Sequence, residues 1–172
     1  MTRLKGRLAT AAVMAAGLAV VAWSGAPQAS AQAAGAGDLA IVAHEGVPVS
    51  GLSLPELRQV FKAERQYWTK DLPVVLFVRA PVSAERNAVL KVIFQMAEQQ
   101  FQNYWTAKTF RAEAGTSPKN LTSNELTQRF VAAKPGAIGF IAASDVKPGV
   151  RVLRIDGHLP GEPGYALHLS RP

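Results

Sequence analysis

Short unbroken apolar runs alternate along this chain with stretches in which apolar residues recur every three or four positions. Leu39-Ala40-Ile41-Val42-Ala43 predicts a first strand that ends near His44-Glu45-Gly46. Leu54, Leu57, Val60 and Phe61 then follow at helical spacing. Ser53-Leu54-Pro55-Glu56 before them has the capping-box form, with Pro early in the helix, where no backbone donor is needed. Trp68 to Asp71 predicts a turn-rich link. Leu72 to Val78 is nearly continuous apolar and β-branched, as in a strand covered on both faces. From Ser83 onward, Val89, Ile93 and Met96 form a helical stripe with Leu90, Phe94 and Phe101 beside it. Tyr104, Trp105 and Phe110 continue onto a second helix.

The second half repeats the alternation. Gly115 to Asn120 predicts a loop. Thr122 and Glu125 have capping-box spacing before a helix through Leu126, Phe130 and Val131, and Pro135-Gly136 ends it. Ala137-Ile138-Gly139-Phe140-Ile141 predicts a short buried strand, Val150 to Ile155 alternates as a strand with one solvated face, and Tyr165 to Leu169 predicts a last edge strand. Strands alternating with helices define an α/β layered domain, with no internal repeat and no second domain boundary.

Composition changes this picture mainly at the start. Arg3, Lys5 and Arg7 precede the Ala/Leu/Val run Leu8 to Trp23, and Ala29-Ser30-Ala31 follows. A positive start, an apolar middle and a small-x-small site predict a secretory signal peptide, residues 1–31, removed near Ala31. The run is Ala-rich and shorter than the roughly 20 residues a membrane anchor needs. Residues 32–37 then form a small-residue lead-in expected to be disordered, and residues 38–172 the folded domain. Without the three leader cations, 16 Lys and Arg face 12 Asp and Glu, a net charge of +4 rather than +7. The absence of cysteine suits an exported chain and excludes lipidation at an N-terminal Cys.

Motifs for catalysis are missing. His44, His158 and His168 are far apart, without HExxH or other metal-ligand spacing, and Ser83 lacks the G-x-S-x-G elbow. The acids are scattered singly. Tyr104, Trp105, Lys108, Phe110 and Arg111 form a basic-aromatic cluster, but at helical spacing such aromatics make core or groove wall rather than a nucleic-acid platform. The stretch LFVRAPVSAERNAVLKVIF, Leu76 to Phe94, stands apart. A strand ending at Arg79 leads through a loop into a helix, and open α/β sheets bind ligands at such carboxyl ends. The first helical N–H groups lack intrahelical partners. Ser83 has a hydroxyl to donate, Arg79 a planar fork of donors, and Arg86 a second charge. Spacing alone leaves two readings open: these are anion ligands, or Ser83 and Glu85 are an ordinary helix start.

The order LSLPELRQVFKAERQYW, LPVVLFVRAPVSAERNAVLKVIF, NYW and KPGAIGFI resembles that of the phosphate ABC-transporter substrate-binding proteins, in particular their short single-domain members. The resemblance runs from Leu39 to Ile141. It implies one periplasmic-binding-protein-like (type II) lobe, a mixed sheet flanked by helices. By that resemblance Arg79 matches the family's phosphate-binding arginine and Ser83 its loop serine, with Ala84 and Glu85 at positions giving backbone N–H contacts. Pro81 stands where the family has an aspartate, Glu85 stands in place of a threonine, and the family's Thr-Gly-Ala/Ser loop does not precede the first strand. The implied function is an exported, periplasmic or secreted, non-enzymatic protein without cofactor. It would bind inorganic phosphate or a similar oxyanion for phosphate uptake or sensing, beside a membrane transporter or sensor protein. The alternative is an envelope protein-protein interaction module with a vestigial ligand site.

Overall fold

The computed structural model describes residues 37–114 and 117–169, all within one compact unit, Ala31–Pro172. The expected leader, and all of the lead-in but Gly37, lie outside the described residues. In chain order the elements are β1 (Leu39–Ala43), β2 (Gly51–Leu52), α1 (Leu54–Phe61), β3 (Tyr67–Thr69), β4 (Leu72–Pro73), β5 (Val75–Arg79) and α2 (Ala84–Val89). A π-helical turn, Leu90–Phe94, extends α2. There follow α3 (Glu98–Phe110), β6 (Lys119–Leu121), α4 (Asn124–Ala133), β7 (Ala137–Ala142), a 3-10 turn (Ala143–Asp145), β8 (Arg151–Val152) and β9 (Arg154–Ile155).

Five strands form a mixed sheet in the order β6-β5-β7-β1-β8. β1 is antiparallel to both its neighbours, while β6, β5 and β7 are mutually parallel. Alternation along β1 and β7 divides the core. Leu39, Ile41, Ile138 and Phe140 face Leu57, Phe61, Ile93, Phe94 and Phe101 of α1, the π turn and α3. Ala40, Val42, Ala137 and Ile141 face the other way, with Phe77 and Val131 of α4. Cover on both faces explains why β1 and β7 read as continuous apolar runs. The Phe61 ring lies 6.0 Å from Phe94 and 6.1 Å from Phe140, tying α1 to the sheet through the π turn.

The local chemistry at α1 follows the sequence. Ser53 caps the helix, and its own N–H is held by the Glu56 carboxylate at 2.8 Å. At α4 the cap is Ser123, one residue beyond the expected Thr122. The strand expected over 72–78 is two strands, because it changes partners: β4 pairs with β3, a pairing the Val74 N–H extends to the Gln66 carbonyl at 2.8 Å, whereas β5 pairs with β6 and β7. β4 pairs with β3, so the expected Trp68–Asp71 link belongs to a hairpin. The strand expected over 150–155 also divides. β8 pairs with β1 and β9 with β2, around the fully buried Leu153. Residues 165–169 pair with the start of β1 through Leu39 N–H to the Leu167 carbonyl and a His168–Asp38 bridge, without forming a strand. Part of the expected 115–120 loop is β6.

The helix after Ser83 widens into its π turn at Leu90 and stops at Gln95, which adopts left-handed backbone with φ 58°. A π turn leaves carbonyls short of helical partners. Arg58 of α1 supplies one, donating Nη2–H to the Val92 carbonyl at 3.0 Å. No helix among the described residues is long and apolar enough to cross a membrane.

Candidate anion site

The parallel strands β6, β5 and β7 bring their carboxyl ends to one edge, so three loops converge there. The β5–α2 loop carries Arg79 to Glu85, the β6–α4 loop carries Ser123 and Asn124, and the turn after β7 carries Ser144 and Asp145. This is the edge at which open α/β sheets place ligands.

Arg79 is buried, with 8% of its surface exposed. Its Nη1–H donates to the Leu121 carbonyl at 3.0 Å, which fixes the guanidinium across the end of β6. Its Nε–H is buried without a hydrogen-bond acceptor among the described residues. The nearest opposite charge is Glu85 Oε2 at 3.9 Å, an ion pair too long for a hydrogen bond. Glu85 is held in turn by Asn124, whose Nδ2 donates to Glu85 Oε1 at 2.8 Å and to Asp145 Oδ2 at 2.7 Å. One side-chain amide thus ties two carboxylates from different loops, and its own Oδ1 is buried without a donor.

Ser83 is the α2 N-cap, its Oγ accepting the Arg86 N–H at 3.2 Å. Its hydroxyl proton has no acceptor among the described residues. α2 has only six residues before the π turn, so few aligned peptides stand behind the N–H groups of Ala84 and Glu85. The preceding residue, Val82, is 91% exposed and has φ 72°. Left-handed backbone is a genuine outlier for a β-branched residue, with a cost of about 1–3 kcal/mol. The loop between Arg79 and Ser83 is therefore held in a strained shape by its surroundings.

Arg86 does not supply a second free charge. It is 3% exposed and faces Glu98, with Nε–Oε2 2.7 Å and Nη2–Oε1 2.8 Å. Nη1 donates to the Arg79 carbonyl at 2.7 Å and to Asn120 Oδ1 at 3.0 Å, and the guanidinium lies 4.6 Å from the Phe101 ring centroid. A bidentate carboxylate, a carbonyl and an aromatic face satisfy it inside the protein. Its role in the fold is to pin the end of β5 to α3 and β6. A spacing argument had no access to this, because the partner carboxylate comes from the next helix, α3, beyond the π turn.

The Arg86 hydrogen bonds hold the Glu98 carboxyl below its ordinary value of 4.5, against an opposing effect of burial. A carboxyl depressed in the folded state stabilises the fold above its unfolded value, and that contribution is lost as pH falls through the folded value. Glu98→Gln is expected to lower stability at pH 7 by about 1–2 kcal/mol, since one strong acceptor of a buried guanidinium is weakened. The gap from the native protein should narrow below pH 4.5 in urea unfolding. A gap independent of pH would show that Glu98 acts by packing alone. No group of three or more His, Cys, Asp or Glu able to hold a metal ion occurs among the described residues.

Sheet order, the flanking helices and the loop cluster at the parallel edge together define the fold of a single lobe of a periplasmic binding protein. Solved structures with this fold bear the likeness out. One from Clostridium perfringens, described as a phosphate ABC transporter substrate-binding protein with bound phosphate, superposes with TM-score 0.59 at 20% identity over 72% of this chain and 47% of its own. An ABC-type phosphate transport receptor from Vibrio cholerae gives 0.57 at 18% over 72% and 48%. PstS from Borrelia burgdorferi gives 0.56 at 13% over 72% and 49%. The chain spans about half the length of these proteins. No protein-family model matches it.

Proposed function

We propose that this chain is an exported, non-enzymatic solute-binding lobe that takes an inorganic oxyanion, phosphate-like in charge and shape, at the carboxyl end of β5. Its setting would be phosphate uptake or sensing at the cell envelope, beside a membrane transporter or sensor. One observation carries this reading. Arg79 is a buried guanidinium at the ligand edge of the sheet, with an Nε–H that has no acceptor among the described residues. A buried donor without a partner costs about 1–3 kcal/mol, more when charged, and an oxyanion oxygen is the acceptor that fits a guanidinium best. The Ser83 hydroxyl adds a second donor, and the N–H groups of Ala84 and Glu85 lie beside it. Arg86 drops out of the ligand set, because its donors are engaged internally.

Calorimetry with phosphate, sulfate and arsenate at low salt tests the reading. The native chain is expected to bind at least one of them. Arg79→Lys is expected to weaken binding about tenfold by losing the planar fork, and Arg79→Ala to abolish it. Absence of heat with all three anions, or binding indifferent to Arg79, would sink the proposal.

A second reading is favoured by a specific observation. Glu85 already stands by Arg79 at 3.9 Å, where the family resemblance has a threonine, and Asn124 holds it there. On that reading the internal carboxylate replaces the ligand permanently, and the lobe serves as an interaction module. Recovery of a stoichiometric envelope partner regardless of phosphate, together with silent calorimetry, would establish it.

A further inference from the structure

Away from the sheet's ligand edge, a half-enclosed cavity of about 320 Å³ lies between the β3–β4 hairpin, the end of α1, the start of β5 and the second half of α3. Val60, Val74 and Leu76 give it apolar walls, and Trp105 lines it as well. Trp105 is only 6% exposed, and its Nε1–H is buried without an acceptor among the described residues. Gln66, Tyr67 and Ser117 add neutral polar groups, while the two charged residues on the wall, Arg65 and Lys134, are both cations and no carboxylate lines the cavity. Lys134 enters no ion pair among the described residues. Arg65 is partly engaged, with Nε–H on the Tyr67 carbonyl at 3.3 Å and its guanidinium 5.5 Å from the Trp68 ring centroid.

The neighbouring aromatics differ in this respect. Trp68 donates its Nε1–H to the Gly136 carbonyl at 2.8 Å, and the Tyr104 hydroxyl donates to the Lys62 carbonyl at 2.7 Å. Buried indole and phenol donors are ordinarily satisfied in this way. A largely apolar hollow whose charged groups are both cations, with an indole N–H on its wall that has no acceptor among the described residues, matches the general form of a small-molecule site. The donors fix the complementary chemistry. The occupant must bring an acceptor and negative charge on an apolar body small enough for this volume.

We propose that this cavity is a binding site for a small monocarboxylate with an apolar or aromatic body. The Trp105 indole N–H meets a carboxylate oxygen, Lys134 and Arg65 supply the countercharge, and the aliphatic wall takes the hydrocarbon. The site is separate in residues from the oxyanion site at Arg79 and does not depend on it.

Benzoate is the probe, with benzyl alcohol as its neutral counterpart, and the full chain is titrated in a ¹H–¹⁵N NMR experiment. Benzoate is expected to bind saturably and to shift the Trp105 indole cross-peak, identified by its loss in Trp105→Phe. Benzyl alcohol should bind about tenfold more weakly, and Lys134→Gln should weaken benzoate about fivefold while leaving the alcohol unchanged. Lys134 is exposed, so this variant keeps the test open even if Trp105→Phe fails to fold. An indole peak unmoved by benzoate, equal binding of acid and alcohol, or indifference to Lys134→Gln would each overturn the proposal.

Discussion

Gly136→Ala is expected to cost at least about 3 kcal/mol of stability, because two penalties coincide at one atom. Gly136 has φ +75°, where an L side chain is strained at about 1–2 kcal/mol. A Cβ placed there would also lie 2.1 Å from the Pro73 carbonyl oxygen, a backbone atom that cannot rotate aside. Relief would require β4 and the β7 approach to separate. Yet the Gly136 carbonyl accepts both the Trp68 Nε1–H at 2.8 Å and the Val75 N–H at 3.1 Å, so separation breaks contacts holding the hairpin and the start of β5. Gly157, with φ +87° and open space around its missing Cβ, is the control. Its Ala variant should show the backbone strain alone, about 1–2 kcal/mol. Urea unfolding that gives the two variants equal losses would refute the close-approach argument.

That junction also marks where sequence reasoning stopped. Pro135-Gly136 reads as a helix stop, which it is, but nothing local says that the glycine lies under the chain sixty residues earlier. Elements with their own rhythm were legible. β1 and β7 are unbroken apolar runs because both faces are covered, and the α1 capping box is a purely local device. Elements made by pairing were not. β6 is Lys119-Asn120-Leu121, largely exposed and polar, and is a strand only because β5 runs beside it. The hairpin and the divided strand at Leu153 depend on partners in the same way. At the candidate site, Arg79 and Ser83 were readable from the strand–loop–helix order. The Arg86–Glu98 pair and the amide bridging Glu85 to Asp145 were not, since each joins residues from different loops or helices. The signal available in sequence was Glu85 itself, an acid at the position where the resemblance has a threonine.

Glu85→Gln is expected to raise oxyanion affinity about tenfold to a hundredfold. Two opposite unit charges 4 Å apart attract by about 4 kcal/mol at the dielectric usual near a protein surface, and a like charge at a similar distance repels comparably. Glu85, at 3.9 Å from Arg79 Nε and with its side chain 13% exposed, both neutralises the guanidinium and opposes an incoming anion. Solvent and a shift of the Glu85 side chain reduce the full Coulomb figure to the 1.4–2.7 kcal/mol that about ten- to hundredfold represents. The amide is the informative replacement because it nearly preserves shape. Its oxygen still accepts the Asn124 Nδ2–H, so the loop keeps the tie now seen at 2.8 Å. Glu85→Gln combined with Arg79→Ala must lose what the single variant gains. If Glu85→Gln binds phosphate no better than a native chain that does bind it, the carboxylate is not the brake. If neither binds, the internal carboxylate has no ligand to compete with, and the interaction-module reading takes over. If the gain appears and vanishes with Arg79, the edge where β6, β5 and β7 converge is an oxyanion site whose affinity is set from within by its own acid.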